Sequence, residues 1–338
     1  MSTEPSLPPD AAEPPAQTRA AKPAKDHSYS APLRAALGQF ALRTAARGSL
    51  ATLHAFGRAA GRVLASWPTR ERLATRVNLA ACFPELDAAA RAELERASLL
   101  ETGCTMAELA ALWCWPGARV LELVREARGL EALDAARREH GALLLTPHLG
   151  AWELAGLFTG SRMPLTALYK APRIREMEAF YTQGRERCGA RLVPADVGGV
   201  RALHRALRAR EVVGVLPDQD PGRGSGIFVP FFGVPANTTT LVAKLLQKHP
   251  CPLFLVWCER LPLSAGFRMH YVVARGDDLR SPDTEVAVRA MNRELEALIR
   301  SAPSQYLWSY KRFRNRPVGL RDPYRHGVAD STIGVRQA

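Results

Sequence analysis

The residue types best suited to chemistry are His148 and Glu153, separated by four residues in Thr146-Pro-His-Leu-Gly-Ala-Trp-Glu153, where a short apolar run gives way to a helical stretch. An imidazole beside a carboxylate is the pairing of a general base with its orienting partner. The carboxylate holds one ring nitrogen as N–H and leaves the other unprotonated, aimed at a substrate hydroxyl. On one continuous helix this spacing would put the two side chains off a common face. With His148 in the loop and Glu153 in the first helical turn, the carboxylate is expected to fold back on the imidazole, and Gly150 to permit close approach. The bare spacing fits equally a loop histidine followed by a first-turn carboxylate that complements the helix dipole. No third ligand stands at a spacing suited to a metal, no cysteine or serine sits in a nucleophile's context, and no cofactor is called for. Gly222-Arg-Gly-Ser-Gly226 lacks the Lys-Ser/Thr ending of a phosphate loop, which excludes nucleotide binding of that kind.

The elements around this segment alternate. Residues 142 to 146 form a short apolar run ended by Pro147, expected as a buried strand, and residues 151 to 158 read as a helix. Further expected strands are 165–169, 212–216, 252–257 and 268–273, with helices at 175–188, 199–210, 239–249 and 284–300. Residues 70 to 140 read as helical throughout. Strands alternating with helices predict an α/β layered sheet with its chemistry where strands give way to loops, in one domain over residues 70 to 317. Residues 318 to 338 are assigned to a C-terminal tail, and the proline-rich residues 1 to 30 to a disordered one.

The charge of +13 and pI near 10.0 call for an acidic partner: nucleic acid, anionic lipid or an acidic carrier protein. The basic residues are mostly Arg spread through helical stretches, without zinc-finger spacing or an RNP-like motif, which argues against nucleic acid. The six cysteines include no Cys-x-x-Cys pair and are expected as reduced core thiols. Residues 31 to 66 interleave Leu33, Leu37, Phe40, Phe56 and Val63 with Arg34, Arg43, Arg47, Arg58 and Arg62 and contain no acid. The arginines leave no uninterrupted apolar span of about 18 residues. A basic amphipathic helix pair lying on an anionic membrane surface and an ordinary packing helix with solvated arginines both fit.

Five stretches in order resemble the lipid A biosynthesis acyltransferases, a branch of the glycerolipid acyltransferase superfamily whose catalytic motif is His-x4-Asp/Glu. Besides the His148 segment they are Arg76-Val-Asn78-Leu-Ala-Ala-Cys-Phe83-Pro84-Glu85; Tyr169-Lys170 with Arg185-Glu-Arg187; Leu216-Pro-Asp218-Gln219-Asp220-Pro-Gly222 with Phe228 to Ala236 and Thr238 to Thr240; and Pro303 to Pro317, which contains Lys311, Arg312, Arg314 and Arg316. The likeness covers about residues 70 to 317. Phe83-Pro84-Glu85 precedes the histidine and is not the Phe-Pro-Glu-Gly motif of lysophosphatidate enzymes, which disfavours that acceptor.

The resemblance implies a mixed sheet flanked by helices, N-terminal membrane-associated helices, and transfer of a fatty acyl chain from acyl carrier protein to a hydroxyl of a lipid A precursor at the cytoplasmic face of the inner membrane. His148 is assigned as general base and Glu153 as its orienting partner. Lys170, Arg185 and Arg187 fit phosphate or oxyanion binding and fit solvated helix residues nearly as well. Asp218 and Asp220 fit either the wall of the acceptor pocket or turn capping. Phe228, Phe231 and Phe232 are expected in the core or an acyl tunnel. The same chemistry on an amino-acid lipid or mannosylated glycolipid, coenzyme A as donor, and a non-catalytic basic lipid-binding protein remain alternatives.

Overall fold

The structure, a computed structural model, describes residues 31–172, 174–222 and 224–325, so the expected tail over residues 1–30 lies outside the described residues. The chain opens with α1 (Ala31–Ala45), α2 (Leu50–Ser66), α3 (Arg70–Cys82) and the long α4 (Ala88–Cys114). Ser49, Thr69 and Asp87 each accept a hydrogen bond from the backbone N–H three residues on, which caps α2, α3 and α4. Then follow α5 (Gly117–Leu121), β1 (Val124–Arg128), α6 (Leu130–His140), β2 (Ala142–Leu145), α7 (Trp152–Arg162), β3 (Leu165–Tyr169), α8 (Glu178–Glu186), β4 (Arg191–Pro194), α9 (Val197–Arg208) and β5 (Val212–Val215). The last third holds a hairpin of β6 (Gly226–Phe231) and β7 (Val234–Thr239), then α10 (Leu241–Lys248), β8 (Leu253–Arg260), β9 (Phe267–Val273) and α11 (Thr284–Ser301).

Seven strands form one mixed sheet in the order β1-β9-β8-β2-β5-β3-β4. Strands β8, β2, β5, β3 and β4 run parallel, and β9 pairs antiparallel with β8. β2, the strand that feeds His148, lies between β8 and β5 and is buried along its whole length. Its side chains alternate between two cores. Leu143 and Leu145 join Val213, Val215 and Leu255 under α9, α10 and α11, while Ala142 and Leu144 join Phe254, Val256 and the α7 residues Leu154 and Phe158 on the opposite face.

Four strands were not foreseen: β1, β4 and the two of the hairpin, β6 and β7. β1 falls within the stretch read as helical: Val-Arg-Glu-Ala-Arg is polar and half exposed, and its strand form comes from parallel pairing with β9, a partner far away in sequence. β4 is the opposite edge strand. In the hairpin, Pro230 stands opposite Pro235, so the composition gives no strand signal.

Residues 31–45 and 50–66 of the basic N-terminal region are helical, as α1 and α2. α2 lies directly against α4: a Cβ on Gly57 would stand 2.7 Å from the Gly103 carbonyl oxygen, and one on Gly61 2.6 Å from that of Leu99. Beneath this contact His54, fully buried, lies 2.6 Å from Glu108 through Nε2 and 2.9 Å from the Ser264 hydroxyl through Nδ1. Arg260 at the end of β8 completes the cluster, donating to Glu108 and Glu101, and to the Thr105 hydroxyl at 2.9 Å. Among the described residues no helix is long and apolar enough to cross a membrane.

Candidate active site

The loop between β2 and α7 is held on three sides. The Thr146 N–H donates to Val215 O of β5, the Ala151 N–H to Cys258 O of β8, and the Leu307 N–H to His148 O, at 3.0, 2.8 and 3.0 Å. Gly150 has φ +61°, and a Cβ there would lie 2.0 Å from Cys258 O, so only glycine fits where the loop crosses β8.

The carboxylate that meets the imidazole is Asp218, in the loop after β5. Its Oδ1 is 3.0 Å from His148 Nδ1, and its Oδ2 accepts the His148 backbone N–H at 3.0 Å. Asp218 is 2% exposed. Burial alone would push its carboxyl up, but the facing His148 ring and the hydrogen bonds from that ring and the His148 backbone hold it below its ordinary range. An ionised carboxylate only accepts hydrogen bonds, so Nδ1 is the nitrogen that donates to Asp218, and in the neutral ring the lone pair is on Nε2. Nε2 faces the Gln219 amide nitrogen at 3.0 Å. Trp152 packs against the ring at a centroid distance of 4.9 Å.

The expectation that Glu153 folds back to orient His148 is therefore corrected. Glu153 takes a two-pronged ion pair from Arg185, with Nε–Oε2 2.8 Å and Nη2–Oε1 2.5 Å. Trp113 Nε1 adds a contact at 3.4 Å, and the guanidinium lies 5.7 Å from the Trp113 ring centroid. The first-turn position aims Glu153 across to α8, and the guanidinium fork there matches both carboxylate oxygens. Burial opposes the charge on Arg185, and Glu153 more than offsets it, so its pKa is raised.

His148, Glu153, Lys170, Arg185 and Asp220 all line one groove of 1870 Å³. Arg187 does not. It donates to the carbonyls of Trp113, Trp115 and Gly184 and so ties α8 to the end of α4. Asp220 behaves as turn chemistry requires, accepting the Gly222 N–H at 2.8 Å and the Asn237 side chain at 2.8 Å. The groove has an apolar part that includes Leu157, Leu165, Ala167, Leu192 and Val200, and a rim carrying Lys311, Arg314 and Arg325. Phe228 faces this groove, whereas Phe231 and Phe232 are buried in the core.

The other stretches that carry the family resemblance form one scaffold behind the site. Asn78 donates to the carbonyls of Trp308 and Tyr310 at 2.6 and 2.7 Å and accepts from the Tyr324 hydroxyl at 2.5 Å. The Tyr310 hydroxyl in turn accepts the Asp220 N–H at 3.1 Å. Phe83 packs on Phe232 and Trp308. Arg312 points inward, 3% exposed, donating to Asn237 O and to the Thr238 hydroxyl. It is thereby separated from the groove-lining Lys311 and Arg314, a division the basic run does not reveal in sequence.

A mixed sheet whose central strand delivers a carboxylate-held histidine to a lipid-sized groove defines an enzyme of the acyltransferase class. The sequence model of the bacterial lipid A biosynthesis acyltransferases matches residues 23–315, and the chain belongs to that family. It is similar to the lipid A biosynthesis palmitoleoyltransferase of Escherichia coli K12, 30% identical over 257 residues, which cover 75% of this chain and 82% of the relative. The lauroyltransferase of the same organism is 29% identical over 251 residues, covering 73% and 80%, and its myristoyltransferase 27% over 281 residues, covering 80% and 82%. This chain is an acyltransferase of lipid A biosynthesis.

Proposed function

We propose that the protein transfers a fatty acyl group from the thioester of acyl carrier protein to a hydroxyl of a lipid A precursor, with His148 as general base. The observation that carries this reading is the His148 ring itself: Nδ1 is held by buried Asp218, and Nε2 is left for a proton at the wall of the groove. The groove volume of 1870 Å³ exceeds the range of about 300–1,000 Å³ typical of small-molecule sites, which suits an acyl chain and a lipid acceptor together.

The acceptor hydroxyl takes the position now occupied by the Gln219 amide and gives its proton to Nε2 as its oxygen attacks the thioester carbonyl. The tetrahedral intermediate collapses with cleavage of the carbon–sulfur bond. The departing thiolate recovers the proton from the imidazolium, whose charge Asp218 stabilises. Arg185, with two of its nitrogens on Glu153, has Nη1 left to face the negative charge that develops on the carbonyl oxygen. Glu153 acts here by positioning Arg185.

An anionic membrane surface at the cytoplasmic face of the inner membrane is the proposed location. Leu33, Leu37, Phe40, Phe56, Val63 and Trp67 project from α1, α2 and the end of α2, each more than half exposed. Leu263, 96% exposed, follows β8 at the same edge of the sheet as His148. Exposed apolar side chains flanked by arginines suit the headgroup layer.

The test is transfer of labelled acyl groups from acyl carrier protein to a tetra-acylated lipid A precursor in detergent micelles. Transfer by the wild type, lost in His148→Ala, is expected. Absence of transfer by the wild type sinks the donor and acceptor assignment, and full activity in His148→Ala sinks the mechanism.

A further inference from the structure

A second cleft lies away from the groove, between the C-terminal ends of α9 and α10. Its volume is 630 Å³, and every residue that lines it is basic: Arg201, His204, Arg205, Arg208, Lys248 and His249. We propose that this cleft is a binding site for a soluble diphosphate-type anion, distinct from the acyl-transfer site.

The topology separates the two. α9 and α10 precede β5 and β8, which run parallel to β2, so their C-terminal ends sit at the sheet edge opposite His148. Only the starts of the two helices line the groove, Val197 and Val200 in α9 and Leu241 in α10. Over twelve residues the helix spans about 18 Å.

Complementing the two helix ends does not account for the charge. Each helix C-terminus carries about half a negative charge, so two of them offset about one cation. Arg201, Arg205, Arg208 and Lys248 supply four permanent ones, and among the described residues no carboxylate lines the cleft. Elsewhere in the chain arginines meet acids, as Arg72 meets Glu95, Arg137 meets Asp134 and Arg289 meets Glu285.

The two histidines add directional donors. His204 Nδ1 lies 2.7 Å from His249 Nε2, with ring centroids 5.0 Å apart. Burial, reinforced by the nearby Lys248 and Arg208 charges, holds the pKa of both below the ordinary histidine value. An anion in the cleft relieves that repulsion. Guanidinium forks from three arginines on successive turns of one helix face suit two neighbouring phosphate groups rather than a single small ion. The volume falls within the range of about 300–1,000 Å³ usual for small ligands.

The experiment uses the full-length protein with 13C-labelled histidine. Inorganic pyrophosphate, phosphate and chloride are titrated at constant ionic strength, and the His204 and His249 ring signals are followed. Saturable movement of both signals by pyrophosphate, at concentrations where chloride moves neither, is expected. Arg205→Gln/Arg208→Gln, exposed substitutions, should weaken it by about tenfold or more. His148→Ala should leave it unchanged. No saturable shift in the wild type, or equal response to chloride, overturns the proposal without touching acyl transfer. Flotation with phosphatidylglycerol vesicles is the second arm: lipid binding that depends on Arg205 and Arg208, with none to pyrophosphate, would assign the cleft to a headgroup and also overturn it.

Discussion

Asp218 holds both the side chain and the main chain of His148, through Nδ1 at 3.0 Å and the backbone N–H at 3.0 Å, although the two residues are 70 positions apart. One buried carboxylate thus sets the ring's tautomer, its direction and the course of the loop that carries it. A nearer carboxylate, Glu153, is committed to Arg185.

Asp218→Asn should lower kcat by about 10²- to 10⁴-fold, the range spanned by a mispositioned or wrongly protonated base, with a far smaller change in KM. In a His148→Ala background the same substitution should have almost no further effect, because the two act as one unit. Steady-state kinetics of the single and double variants check both statements. Additive losses would show that Asp218 acts elsewhere than through the histidine.

The Glu153–Arg185 pair makes a different prediction. Arg185→Lys keeps the charge but loses the fork that meets both carboxylate oxygens, so it should cost about 10²-fold in kcat/KM, close to the cost of Arg185→Ala. Rescue of most activity by lysine would mean that charge alone suffices there. The comparison is informative only beside thermal denaturation, since the pair also ties α7 to α8.

The histidine's loop was legible in sequence because it is local: an apolar strand, Pro147 and Gly150 state where the strand ends and how tightly the chain turns. Its partner was not. Asp218-Gln-Asp-Pro-Gly reads as turn chemistry, and Asp220 does serve the turn, while Asp218 serves His148. The distinction rests on β5 lying beside β2, and strand order is a tertiary outcome that no local pattern records. A usable signal was present all the same. Two apolar runs each end in a loop rich in polar groups, and parallel neighbours bring such loops to the same edge. Likewise Asn78, Phe83, Trp308 and Arg312 stood out in sequence, but their common role as one scaffold emerges only once α3 and the closing segment are seen packed together.

Glu108 predicts a pH dependence of stability. Burial pushes its carboxyl up, but Arg260 and His54 overcome this and hold it below the ordinary glutamate range. With the folded pKa depressed, the stabilisation is fully present above the unfolded value of about 4.3 and is lost as pH falls through the folded one. Urea unfolding at pH 7 and at steps below pH 5 should show the wild type losing stability on the acid side. Glu108→Gln should be about 3 kcal/mol less stable at pH 7, because buried Arg260 then keeps only Glu101 as a charged partner, and should show a flatter acid limb.

The glycines between α2 and α4 connect this buried cluster to the proposed membrane contact. Gly57 and Gly103 let the helix backbones approach so closely that a side chain on Gly57 meets Cys104 Cα and Gly103 O at 2.7 Å. Backbone cannot yield as a side-chain tip does, so Gly57→Val should drive α2 off α4. It should cost about 1–3 kcal/mol or more and expose residues 50 to 66 to proteolysis. Because His54 leaves with α2, Glu108 and Arg260 lose a neighbour in the same step. Limited proteolysis of wild type and variant, with vesicle flotation alongside, reads both consequences. The variant should be cut within α2 and float poorly while the His148 site, built from β2, β5 and β8, keeps its activity on detergent-dispersed acceptor. Flotation undiminished after α2 is released would place the membrane contact on some other surface.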